Sequence, residues 1–171
     1  MLRSFMKRVL LVIVVLGVFV VSLPAQKSRI TEDKDIPLIE APTDGNFKAG
    51  ALVGIVSGIT AGYRFSNWFE INAIGGWSWH HKETGVLGLN GCITLVQFKA
   101  GDDVVLPLTL GPQVIFVVGE KIIIEAMANL RLEYTFSEIP LNIFAEGGGG
   151  VRLFGDSWIA WHGALGARYV F

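Results

Sequence analysis

From residue 47 to residue 171, apolar and polar side chains alternate with a period of two, interrupted only by short turn-like clusters. A period of two belongs to strands, whose successive side chains point to opposite faces. Eight segments can be marked out: 47–56, 59–66, 68–80, 85–98, 105–118, 121–136, 140–154 and 158–171. Each strand with its turn then takes roughly 16 residues, against the 9–11 that a membrane-crossing strand needs. Eight is also the smallest even strand number usual for membrane barrels. The expected fold is therefore all-β, a closed antiparallel eight-stranded transmembrane barrel of up-and-down topology. The first turn is expected at Ser57-Gly58, with a single kinked strand as the alternative. Pro107 and Pro112 cannot donate to a ladder, so the fifth strand should contain a bulge or a gap in pairing.

Composition agrees. Hydrophobic residues make up 51% and charged residues 17% of the chain, below the roughly 25% charged of ordinary soluble domains. Yet beyond residue 25 no apolar run is long enough for a spanning helix. Before it, Arg3, Lys7 and Arg8 precede an apolar run over 9–21 and a cleavage-like Ser22-Leu23-Pro24-Ala25, the pattern of a secretory signal peptide over residues 1–25. The competing reading is an uncleaved anchor, for which the run is short. Cleavage leaves eleven Lys and Arg against fifteen Asp and Glu, a net charge of −4, and no basic patch that would suggest nucleic acid. Residues 26–46 are polar, with Pro37 and Pro42, and read as a flexible periplasmic leader. Cys92 is the lone cysteine, so no internal disulfide can form.

The sixth strand shows its faces most clearly. Ile122, Ile124, Ala126, Ala128, Leu130, Leu132, Tyr134 and Phe136 share one face; Ile123, Glu125, Met127, Asn129, Arg131, Glu133 and Thr135 share the other. A half-buried soluble strand alternates in the same way, so the aromatics must decide. With both chain ends on the periplasmic side, Phe47, Tyr63, Phe65, Phe69, Tyr134, Phe136, Tyr169 and Phe171 gather at one rim. Trp77, Trp79, Phe116, Trp158 and Trp161 gather at the other. Two aromatic girdles around an aliphatic band are a membrane-barrel pattern.

The ending Gly163-Ala-Leu-Gly-Ala-Arg-Tyr-Val-Phe171 resembles the C-terminal strand of bacterial outer-membrane barrels, and the resemblance assigns Tyr169 and Phe171 to the signal read by the barrel-assembly machinery. The run from Leu130 to Phe136, followed by SEIPLNIFAEGGGG, is similar to the sixth and seventh strands of small single-barrel proteins, including spirochaetal ones. This is the class of OmpX and the OmpA barrel domain. The likeness covers residues 47–171. It implies residence in the outer membrane, with lipid, periplasmic chaperones and the assembly machinery as partners, a monomeric state and no firm activity.

By parity, Lys48, Arg64, Arg131, Arg152 and Arg168 point inward with Glu70, Glu125, Glu133 and Glu146. An eight-stranded barrel is just wide enough for side chains to fill, and an unpaired buried charge costs several kcal/mol. These nine groups should therefore pair into a polar network that closes the lumen, with a proton or ion path as the alternative. His80 and His81 lack a clear third ligand and read as a solvated loop rather than a metal site. His162 points inward and is expected to be hydrogen-bonded in the core. Outer-membrane deacylases of this fold use a serine, a histidine and an acid, with the serine two residues after the histidine; WHGAL has none there. The expectation is a non-enzyme without cofactor or metal. Residues 147–150 are four glycines with no following Lys-Ser/Thr, so they make room for interior neighbours or relieve curvature rather than cradle phosphate. The leading functional expectation is a structural envelope barrel. Surface adhesion or host-factor binding, and narrow porin-like transport of small apolar molecules, are the alternatives. The short outer connections favour the first. Strand extensions such as 77–81 are the place for any protruding edge on the outer side.

Overall fold

The computed structural model describes residues 46–66, 68–79, 84–99, 105–119, 122–153 and 158–171. The signal-like residues 1–25, residues 26–45 of the leader, and His80 and His81 lie outside them. The described residues form β1 (Phe47–Gly54), β2 (Val56–Ser66), β3 (Phe69–Ser78), β4 (Thr84–Lys99), β5 (Val105–Val118), β6 (Ile122–Thr135), β7 (Leu141–Arg152) and β8 (Ile159–Val170). Each strand pairs antiparallel with the next, and β8 pairs with β1, so the sheet closes into a barrel. The seam runs from Lys48 opposite Val170 to Gly54 opposite Ala164, and the Phe171 N–H donates to the Phe47 carbonyl at 2.8 Å.

Closure requires stagger. From Gly50 the register passes through Thr60, Ile74, Gly88, Ile115 and Glu125 to Arg152 on β7. The short way round, through Arg168, meets β7 at Asn142 instead. The ladder thus returns ten residues out of step, the shear that tilts the strands of a closed barrel.

The first turn is not at Ser57-Gly58. Both residues lie inside β2, opposite Trp77 and Gly76, and the chain reverses at Ile55. Side-chain chemistry explains the shift. Ser57 Oγ accepts from the Gly54 N–H and donates to the Gly54 carbonyl, each at 3.2 Å, closing the reversal from its C-terminal side. Gly58 serves close strand approach, since a Cβ there would overlap the Gly75 carbonyl.

The two prolines of β5 act as their chemistry requires. The β4–β5 register shifts between Thr94 and Val96, beside Pro107, and the ladder passes from Asn90–Gln113 to Ile93–Leu110 without pairing Pro112. β4 and β5 also outrun their neighbours. Residues 96–99 and 105–107 have ladder partners only in each other, because β3 reaches only Ile93 of β4 and β6 only Leu108 of β5. This ribbon overhangs the rim where β1 begins and β8 ends. The expected extension over 77–81 lies at the other rim. There β3 stops at Ser78, and the Trp79 N–H is drawn onto the Ile55 carbonyl at 3.1 Å.

Candidate functional site

The barrel interior carries the chemistry. Alternation places Lys48, Glu70, Asn72, Arg131, Glu133, Asn142, Glu146 and Arg168 inside, all buried, with Arg131 and Arg168 wholly inaccessible. Lys48 Nζ lies 2.5 Å from Glu70 and 3.1 Å from Glu133. The Arg168 guanidinium spans the barrel, donating to Glu70 Oε1 at 2.9 Å, Asn72 Oδ1 at 2.5 Å and Asn142 Oδ1 at 2.9 and 3.0 Å. It also lies 3.0 Å from Glu133. Arg131 donates through Nε and Nη2 to Glu146 Oε2 at 2.9 and 2.6 Å. Its Nη1 stands 3.6 Å from Glu133 and 3.8 Å from Glu70. Glu146 in turn takes Asn129 at 3.2 Å and His162 Nε2 at 2.8 Å. Arg64, partly exposed, approaches Glu70 at 3.7 Å. Toward the opposite rim, Arg152 donates to Glu125 Oε1 at 2.7 and 2.9 Å.

The structure thus gives each of the nine charged groups expected inside at least one oppositely charged partner. His162 is hydrogen-bonded in the core as well. Charge-assisted bonds of this length are the strong kind, and buried carboxylates are stable only when so held.

Sequence reasoning missed the aromatic centre of this network. The Phe144 ring lies between the guanidiniums of Arg131 and Arg168, whose central carbons stand 4.7 and 4.8 Å from its centroid. Cations over an aromatic face are attracted by its quadrupole. The available signal was parity, because Phe144 falls between the inward Asn142 and Glu146. Two glycines clear space for the cluster. A Cβ on Gly166 would overlap the Phe144 ring, and one on Gly62 would overlap Asn72 Oδ1.

The interior is not polar throughout, which corrects the expectation of a wholly polar lumen. Leu52, Val56, Ile74, Val86, Ile115, Val117 and Met127 are buried as one apolar cluster. They face inward from strands whose outer faces are equally apolar, so polarity contrast never marked them. Between this layer and the opposite rim lies a cavity of about 10 Å3, lined by Val56, Ser78, Glu125, Arg152, Trp161 and His162 among others. Ser78 Oγ and His162 Nδ1 are both buried without a hydrogen-bond partner, so no bond joins serine to imidazole there. Among residues 147–150, Gly148 and Gly150 face inward, where a Cβ would run into the backbone carbonyls of Ala128 and Ala126 on β6. They permit close strand approach. Among the described residues no group of three or more His, Cys, Asp or Glu is placed to hold a metal.

The outer surface inverts the usual order of a protein. Every strand residue with an exposed side chain is aliphatic, aromatic, alanine or glycine, among the described residues. Val53, Ile59 and Leu165 are 70%, 72% and 66% exposed, in a face that soluble monomers keep to small patches. At the rim of the chain ends, rings meet in runs: Phe47 with Phe171 at 5.6 Å, Tyr63 with Phe65 at 4.8 Å, Phe65 with Phe69 at 5.8 Å, and Tyr134 with Phe136 at 4.7 Å. Trp68 and Phe98, which the sequence reading left out, join this belt. Trp77, Trp79, Trp158 and Trp161 are exposed near the opposite rim, with Trp77 and Trp79 in edge contact at 6.2 Å.

No family model, no curated protein and no solved structure matches the chain.

Proposed function

We propose that this chain is an integral β-barrel of the bacterial outer membrane, with a lumen closed by ion pairs and aliphatic packing, serving a structural role in the envelope. The supporting observation is the inversion: charges are buried and paired, while the exposed faces of the strands are apolar between two aromatic belts. In water that surface would drive aggregation. In a bilayer it matches the hydrocarbon band and the girdles at its interfaces. On this reading residues 1–25 export the chain, periplasmic chaperones carry it, and the assembly machinery reads Tyr169 and Phe171 on the closing strand. The barrel is a monomer surrounded by lipid.

Adhesion is less favoured because the rim away from the chain ends offers little area. Its first connection is the single residue Ile55, and the strand bounds leave only short links elsewhere, whereas stable recognition takes about 800 Å2 per partner. Membrane fractionation with a gel comparing unheated and boiled samples tests the assignment. The expected result is outer-membrane recovery with a mobility change on boiling; recovery as a soluble species without that change rejects it. Planar-bilayer recording tests the closed lumen, and a steady large conductance from purified protein would count against it.

A further inference from the structure

The small cavity beside His162 is unusual among apolar voids because two buried polar atoms open onto it with nothing to bond. Ser78 and His162 are 1% and 4% exposed, both line the cavity, and Ser78 Oγ and His162 Nδ1 have no partner. Native interiors rarely leave such atoms bare, and a buried water is the usual solution. The volume, about 10 Å3, sits at the lower limit for one water. The opposite nitrogen, Nε2, is fixed by Glu146 Oε1 at 2.8 Å, so the imidazole is oriented with Nδ1 toward the cavity.

We propose that this cavity holds one water bonded to Ser78 Oγ and His162 Nδ1, and that through it His162 binds a proton supplied only from the rim away from the chain ends. Protonation makes an imidazolium whose counter-ion, Glu146, is already in contact. The proton comes from bulk solvent and nothing else is consumed. The charged groups around the site are Glu146 and Arg152 on β7 and Glu125 and Arg131 on β6. β1, β3 and β5 face it with Ile55, Ser78, Ile115 and Val117, none of which titrates. On the far side the chain of groups continues from Glu146 to Arg131. A guanidinium does not release its proton in a protein, so Arg131 is a dead end and the path serves one side. That sidedness rests on the membrane reading above; the proton site itself does not.

The test uses a chain with His80 and His81 replaced by glutamine, which leaves His162 as the one histidine of three. Trp161 lines the cavity and reports on the imidazolium by fluorescence quenching. In nanodiscs, with folding verified by gel mobility, tryptophan emission should show one reversible transition between pH 5 and 8, the range in which histidine titrates. The transition should be lost in His162→Gln and in Trp161→Phe. It should also be lost in Ser78→Val, which fills the cavity with methyl groups. In oriented liposomes it should follow the pH on the rim side alone. A folded His162→Gln or Ser78→Val barrel that keeps the transition overturns the proposal, as does a folded parent chain without one or a response to the other compartment. A chain that fails the mobility and fractionation tests instead rejects the membrane reading.

Discussion

Replacing Arg131 with methionine removes the cation at the centre of the network while keeping a long side chain. Arg131 is wholly buried and supplies two bonds to Glu146 at 2.6 and 2.9 Å. Breaking a buried pair from one side costs about 3–5 kcal/mol, because the remaining charge is stranded. Glu146 here would keep Asn129 and His162, which places the loss near the lower bound. Losing the stack on Phe144 adds about 0.5–2 kcal/mol, while Glu70 and Glu133 retain Lys48 and Arg168. The net expectation is a loss of about 4 kcal/mol, roughly a thousandfold in the folding equilibrium. Adding Glu146→Gln to the same chain removes the stranded charge, so the double variant should recover about half of that loss. Reversible urea unfolding in lipid vesicles, followed by tryptophan emission and gel mobility, measures both. An Arg131→Met chain within about 1 kcal/mol of the parent would refute the reasoning, as would a double variant whose loss equals the sum of the single losses.

Three further outcomes follow from the same geometry. Leu165→Arg, in the middle of the outer aliphatic band, should cost about 2–4 kcal/mol in a bilayer, and a negligible cost in equilibrium unfolding would argue that this face meets water. Gly166→Ala should destabilise by about 1–3 kcal/mol through collision with Phe144, with Phe144→Leu in the same chain restoring part of the loss; denaturant titration of the single and double variants checks it. Phe144→Leu alone should cost about 1–3 kcal/mol by taking the ring from between two guanidiniums, and a thermal melt unchanged from the parent would exclude that stacking as a source of stability.

Much of this architecture could be read from residue order, because period two ties each side chain's polarity to its face. Arg131, Glu133, Arg168 and Glu146 were legible as interior groups since each interrupts an otherwise apolar alternation. The method fails where both faces are apolar. In β5, Ile115, Phe116, Val117 and Val118 are all greasy, and only the three-dimensional register reveals that Ile115 and Val117 fill the barrel while Phe116 and Val118 look outward. The first turn was misplaced for a different reason. Ser57-Gly58 has turn composition, but the serine acts through its hydroxyl on Gly54, three residues back, and the glycine answers to β3. Which cation meets which anion was also beyond the sequence, since Lys48–Glu133 and Arg168–Glu70 join opposite walls through a ten-residue shear that no local pattern encodes.

The aliphatic layer of Leu52, Ile74, Val86, Ile115 and Val117 has a bearing on any attempt to turn this barrel into a pore. An ion admitted past a dismantled charge cluster would next have to shed its hydration shell against hydrocarbon, with no carbonyl or carboxylate to replace it, and narrow dewetted constrictions are barriers in their own right. Stripping the charges alone should yield an unstable barrel that still does not conduct; widening this second lock is the step that would let current through.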